Sequence, residues 1–150
     1  AHPKRDRQTG AIYNFGVTIG ATTQLNVYQL NATGTIQREA IIPLTGIPLV
    51  HDWAIAGRYL IFCIPPVRIQ PLPVLARLKS FSAAMEWQPQ QGTEIIVLDR
   101  ATLAVVSRTT TDPWFQWHFG NGSELADGTV VIAIARYENC QTNKRLTEIV

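Results

Sequence analysis

Two strand-like segments adjoin in the sequence AIYNFGVTIGATTQLNVYQL, residues 11–30. Apolar and polar residues alternate over residues 11–19 and again over 23–30, and Gly20 lies between the two segments. Alternation with a period of two is typical of β-strands with one buried face, and glycine is common in tight turns. The pattern therefore predicts an antiparallel hairpin.

Most of the remaining chain repeats this pattern. Short segments rich in Ile, Leu, Val, Tyr and Phe are separated by turn residues, and only one segment shows a helical period. These further predicted strands span residues 35–42, 49–56, 59–64, 94–98, 103–109, 114–119 and 129–135. The chain is thus predicted to be all-β, and a sandwich, a barrel and a propeller all fit the pattern.

Composition limits the functions to consider. The 150 residues carry a formal net charge of +2 and contain no run of basic residues. Nucleic-acid binding, which needs basic side chains gathered on one face, is therefore not expected. Two cysteines without CxxC spacing, and a polar start without a signal sequence, favour a cytoplasmic protein. Because the first residues already look like the interior of a domain, we expect a segment of a longer chain.

Residues 64–91 differ from the rest of the sequence. They contain five prolines, and between residues 64 and 85 the only charged residues are Arg68, Arg77 and Lys79. From residue 74 to residue 85 apolar residues recur every three or four positions, which predicts a short amphipathic helix. Such a helix often caps a core, although an inserted segment of this length is usually functional.

The chain has three histidines, His2, His51 and His118, and each is expected within or at the end of a strand. They are too far apart in sequence for a local metal motif, so they could meet only through the fold. Imidazole suits Zn, Cu, Fe and Ni, but on spacing alone each of these residues is more often a hydrogen-bonded structural histidine. If residues 49–56 form a strand, Leu49 shares the face of His51 and Asp52 points away from it.

Each histidine lies in a recognisable motif: AHPKRDRQTG at residues 1–10, VHDWAI at 50–55 and WHFGNG at 117–122. In their order and rough spacing these motifs resemble the carotenoid cleavage oxygenases, over essentially the whole chain. That family contains carotenoid, apocarotenoid and stilbene cleaving enzymes and the retinoid isomerase of the visual cycle. Its fold is a seven-bladed β-propeller with a non-haem Fe(II) held by four histidines. The resemblance implies that these residues form two to three blades.

The resemblance also implies a site. His2, His51 and His118 would be three of the four Fe(II) ligands, and Leu49 would line the substrate tunnel. The fourth histidine and the orienting glutamates of the family lie outside this segment, which alone is expected to be inactive. The third motif departs mildly from the common Phe-His-x-x-Asn-Ala pattern, since Trp117 and Gly122 stand at its ends.

The implied reaction is cleavage of a conjugated C=C bond by O2, giving aldehydes from a carotenoid, apocarotenoid or stilbene-like substrate. Such substrates dissolve in lipid, so the insertion at residues 64–91 would contact a membrane surface and make the protein peripherally membrane-associated. The implied contact residues are Leu72, Val74, Leu75, Leu78 and Phe81, with Arg77 and Lys79 at the headgroups. Two alternatives remain open: a non-catalytic β-domain that binds an apolar ligand or a partner protein, and a zinc-dependent hydrolase.

Overall fold

The structure, a computed structural model that describes residues 2–7 and 9–142, is built mainly from short antiparallel strands. This confirms the all-β prediction. The strands are β1 Lys4–Arg5, β2 Ile12–Thr18, β3 Thr23–Leu30, β4 Ile36–Leu44, β5 Ala54–Ala56, β6 Tyr59–Ile64, β7 Val67–Ile69, β8 Met85–Trp87, β9 Thr93–Asp99, β10 Val105–Thr111, β11 Phe115–Glu124 and β12 Val130–Tyr137. One α-helix, α1 Pro71–Leu75, and two 3-10 turns, Ser82–Ala84 and Pro89–Gln91, complete the described elements.

The described strands form four sheets, of which β7 and β8 make a separate two-stranded one and the other three follow one another along the chain. The first has the order β1-β2-β3-β4, the second has the order β10-β9-β6-β5, and the third consists of β11 and β12. The predicted hairpin is confirmed, because β2 pairs antiparallel with β3 from Ile12 opposite Leu30 to Thr18 opposite Gln24. The insertion lies between β6 and β9, which are neighbours in the second sheet.

The second sheet is packed on both faces, which explains the unbroken apolar run of β6. Leu60 and Phe62 belong to a core shared with the first sheet, whereas Ile61 and Cys63 belong to a core shared with the third sheet. A strand that is buried on both faces has no need of polar positions. The stacking of three sheets therefore follows from alternate side chains of one strand.

The strand predicted at residues 49–56 is wrong over most of its length, since only β5, Ala54–Ala56, is a strand. Pro48 forms an isolated bridge with Arg68, and the Leu49 N–H donates to the Val67 carbonyl at 3.3 Å. The chain then runs outside any sheet until Ala54. His51 consequently lies in a loop, and the strand alternation used to place Leu49 on its face does not apply.

The insertion is a two-stranded arm rather than a long helix. β7 pairs antiparallel with β8, and the residues between them carry α1 and the first 3-10 turn. The amphipathic helix predicted from residue 74 to 85 is wrong because Arg77 has a φ of 55°, in the left-handed region that ends a helix. The N–H groups of Leu78 and Lys79 both donate to the Pro73 carbonyl, which closes this turn.

Within residues 2–7 and 9–142, no helix has the length and apolar composition that crossing a bilayer requires.

Candidate metal centre

The structure brings the three histidines together. The Nε2 atoms of His2 and His51 are 3.2 Å apart, and those of His51 and His118 are 3.4 Å apart. One ligand atom from each residue lies within 4.8 Å of the other two. His51 therefore stands at the centre of a cluster of imidazole nitrogens.

The three histidines lie in or just before the first strands of three different sheets. His2 immediately precedes the β1 region at one edge of the first sheet, and His51 lies in the loop before β5, at one edge of the second. His118 lies within β11 of the third sheet, which continues to Glu124, five residues beyond the predicted end at residue 119. The cluster thus forms where the first strands of three successive sheets meet.

The spacing of the nitrogens suits one metal ion. Two nitrogens that bind an ion at about 2.1 Å lie about 3.0 Å apart at a right angle and about 3.4 Å apart at a tetrahedral angle. The observed separations of 3.2 and 3.4 Å agree with this range. The donor set consists of imidazoles without a carboxylate, which suits Fe or Zn and does not suit Ca²⁺ or Mg²⁺.

Electrostatics favour the ligand form of the central histidine. The pKa of His51 is lowered, because partial burial disfavours the charged ring and the neighbouring His2 and His118 act in the same direction, against the opposing charge of Asp52. A neutral imidazole can offer a nitrogen lone pair to a metal. The surroundings of His51 therefore favour the neutral form, which is the form that can bind a metal ion.

Asp52 connects the histidine segments, a role that the sequence analysis missed. Its Oδ2 accepts the Phe119 N–H at 2.8 Å and its Oδ1 lies 3.1 Å from Lys4 Nζ. Burial acts to raise the pKa of Asp52, but hydrogen bonds from the Phe119 and Trp53 N–H groups and from Lys4 outweigh this effect and lower it. The carboxylate is therefore charged at neutral pH.

Two tryptophans also support the cluster. The fully buried Trp53 donates its Nε1–H to the His2 carbonyl at 2.9 Å and stacks on Phe62. The Trp117 ring lies edge-on to the His51 ring, with centroids 4.9 Å apart. Sequence spacing could not reveal these contacts, since each joins segments that are distant along the chain.

The pairing of β11 with β12 is irregular next to His118. The pairing of β11 with β12 shifts between Gln116 and Phe119, so simple alternation does not hold across this stretch. Gln116 is buried and donates from Nε2 to the Cys63 carbonyl at 2.5 Å, whereas His118 is exposed. A regular strand would place Gln116 and His118 on one face, but here one is buried and the other is exposed.

The other predicted site residues are the Leu49 side chain and the residues of the arm. Leu49 is half-buried, two residues before His51. The arm carries the predicted membrane residues: Leu72, Leu75, Leu78 and Phe81 are exposed, as are Arg77 and Lys79, and Val74 is half-buried. The roles of these residues stay predictions.

Comparison with known proteins gives a consistent family match. The family model for RPE65, retinal pigment epithelial membrane protein, matches residues 1–149. A carotenoid dioxygenase of Neurospora crassa is 26% identical over 139 residues, which cover 86% of this chain and 22% of that protein. The apocarotenoid-15,15'-oxygenase of Synechocystis sp. is 23% identical over 138 residues, 88% of this chain and 28% of the relative. An isoeugenol monooxygenase of Pseudomonas nitroreducens is 32% identical over 102 residues, 67% and 20% of the two chains.

Solved structures share the fold. A crystal structure of an ACO/RPE65 chimera matches with a TM-score of 0.74 at 23% identity, covering 88% of this chain and 28% of that one. Cobalt-substituted Synechocystis ACO matches with a TM-score of 0.79 at 23% identity, covering 93% and 30%. The chain thus spans less than a third of the length of each of these proteins.

Proposed function

This chain belongs to the RPE65 family of carotenoid cleavage oxygenases, and from that premise we propose that its protein cleaves a conjugated C=C bond of a carotenoid or apocarotenoid with O2. In this proposal His2, His51 and His118 hold an Fe(II), and the 150 residues form two to three blades of a seven-bladed propeller. The single observation that carries the proposal is the convergence of three imidazole nitrogens within 4.8 Å.

The residues present fit this chemistry. A bound Fe(II) would supply the activation of O2, whose two oxygen atoms end in the two aldehyde products. Neutral imidazoles hold a metal without adding negative charge, so the surroundings stay compatible with an apolar polyene. Leu49, half-buried near His51, would form part of the wall that places the substrate double bond beside the metal.

Metal analysis of the full-length protein tests the proposal. We expect about one iron per chain and conversion of a dispersed carotenoid or apocarotenoid to aldehydes, with both lost after chelation and restored by Fe(II). Bound zinc with hydrolytic activity would support a hydrolase instead. A protein that binds no metal and cleaves no polyene would be a non-catalytic binding domain, and the proposal would be wrong.

The arm is proposed to contact the membrane in which such a substrate dissolves. Between β7 and β8 it exposes Leu72, Leu75, Leu78 and Phe81 by 77%, 77%, 80% and 50%. Arg77 and Lys79 are exposed beside them, and no acidic residue occurs from residue 70 to 85. Apolar side chains flanked by basic ones suit a surface of anionic lipid, and the protein would be cytoplasmic and peripherally bound.

Serine at both Leu75 and Leu78 should weaken membrane binding. Insertion of one leucine contributes roughly 1.5–3 kcal/mol, so the double variant of the full-length protein should bind vesicles of phosphatidylcholine and phosphatidylserine at least about tenfold more weakly. Co-sedimentation measures this effect. The matched control replaces Ile36 and Ile41 by serine. These residues are 54% and 58% exposed on β4, and the control should bind the vesicles normally. A collapse of the melting temperature in the Leu75 and Leu78 variant would instead show that these leucines are buried against the rest of the protein.

A further inference from the structure

Asp52 occupies an unusual position for a charged residue. It is 5% exposed, lies in the loop between Pro48 and β5, and belongs to no strand. Its Oδ2 accepts the Phe119 N–H at 2.8 Å, and its Oδ1 forms an ion pair with Lys4 Nζ at 3.1 Å. The carboxylate therefore joins the loop before β5 to strands of the first and third sheets.

Every one of these bonds begins or ends close to a histidine of the cluster. Asp52 directly follows His51, Phe119 directly follows His118, and Lys4 is two residues after His2. A displacement of the carboxylate would therefore change the separation of the three imidazoles. The Trp53 indole bond to the His2 carbonyl, at 2.9 Å, links only the His51 and His2 segments, whereas Asp52 links all three.

Stability alone does not account for a charge at this place. A buried ion pair often contributes no more to stability than apolar residues of the same size, because both charges lose their hydration. A carboxylate with bonds in fixed directions does, however, define the geometry of the groups around it. The position of Asp52 is thus better explained by positioning than by stabilisation.

We propose that Asp52 is a positioning residue that sets the spacing of His2, His51 and His118 for metal binding by tying their three segments together. The inference rests on the proposed metal-binding function and assigns Asp52 no contact with metal or substrate. It predicts that the charge and direction of the carboxylate matter even where the fold survives.

Cobalt(II) binding to the metal-free full-length protein tests this inference. Asp52→Asn keeps the size of the side chain but removes the ion pair with Lys4, and we expect Co(II) affinity to fall about 10- to 100-fold, as for other residues that support metal ligands. The visible absorption bands of bound Co(II), which report coordination geometry, should change in position or intensity.

Glu124→Gln is the matched control. Glu124 is the last residue of β11, the strand that carries Phe119. Like Asp52, it connects β11 to the second sheet through its carboxylate, which accepts the Arg58 N–H at 3.1 Å and pairs with Arg58 Nε at 3.1 Å. It is six residues beyond His118, so this variant should bind Co(II) with normal affinity and an unchanged spectrum. Comparison of the two variants separates positioning from a general loss of contacts between sheets.

Lys4→Gln gives a second test that leaves Asp52 in place. We expect a smaller loss of Co(II) affinity than in Asp52→Asn. The double variant should bind Co(II) no more weakly than Asp52→Asn, because both changes remove the same ion pair. If Asp52→Asn fails to fold, an unchanged affinity in Lys4→Gln overturns the inference and a reduced one supports it. Equal binding by Asp52→Asn and Glu124→Gln would overturn it while leaving the metal site intact. If the unaltered protein binds no Co(II) or Fe(II), the proposed function fails, and the inference fails with it.

Discussion

Replacement of His51 by alanine in the full-length protein is expected to abolish metal binding and polyene cleavage. Its Nε2 lies 3.2 Å from that of His2 and 3.4 Å from that of His118, so the variant removes the central nitrogen of the cluster. Residues that merely support metal ligands typically contribute 10–100-fold to affinity, so loss of a ligand should lower Fe(II) affinity by more than about 100-fold. Iron content, measured after dialysis, and aldehyde formation should fall together.

Folding controls distinguish the loss of a metal ligand from the loss of the folded state. Because His51 is only half-buried, the metal-free variant should keep the melting temperature of the metal-free parent within a few degrees. Tyr28→Ala removes a half-buried ring from β3, which carries none of the three histidines, and should keep its iron. Normal iron content in the His51 variant would contradict the proposed metal centre.

Alanine at Trp53 should produce the largest loss of stability. Trp53 is fully buried, stacks on Phe62 with centroids 5.4 Å apart and donates its indole N–H to the His2 carbonyl at 2.9 Å. Removal of a buried tryptophan leaves a large cavity and typically lowers the free energy of unfolding by about 3–5 kcal/mol. Unfolding of the full-length protein in denaturant, followed by circular dichroism, measures the change.

Two further variants separate the contributions of Trp53. Trp53→Phe keeps an aromatic ring against Phe62 and removes the indole donor. It should lower the free energy of unfolding by about 1–2 kcal/mol, because one carbonyl loses its hydrogen bond. The matched control is Trp87→Ala, which removes a half-buried ring from β8 in the arm and should cost only about 1 kcal/mol. Equal effects of Trp53→Ala and Trp87→Ala would show that Trp53 is not a core residue.

The sequence predicted regular elements well where periodicity carried the signal. The segment 23–30 and the segment 59–64 match β3 and β6 at both ends. Prediction was poor where the backbone is irregular: residues 49–53 are apolar enough for a strand, yet Pro48 and the bonds of Asp52 hold them outside one. In the insertion, the helix ends where Arg77 adopts a left-handed backbone conformation. Arginine rarely adopts this conformation, so its presence in the sequence did not predict the end of the helix.

The candidate site was predictable only in part. Three histidine motifs identified the residues that meet, although nothing in their spacing showed that they would. The contributions of Asp52 and Trp53 depend on bonds to Lys4, Phe119 and His2, which lie far away in sequence. A single sequence contains the residues of such a network but not the pairing among them.

The position of the three histidines, in or just before the first strands of three different sheets, has a consequence for the order in which the fold and the proposed metal centre form. No single sheet contains two of these nitrogens, so a partly folded chain offers metal ions only isolated imidazoles. In the proposed metal centre, strong binding would begin only after the sheets have docked, since contacts so distant in sequence form late in folding. Acquisition of the proposed metal would then mark the completion of tertiary structure in this region, and nascent chains would be protected from capturing unsuitable ions.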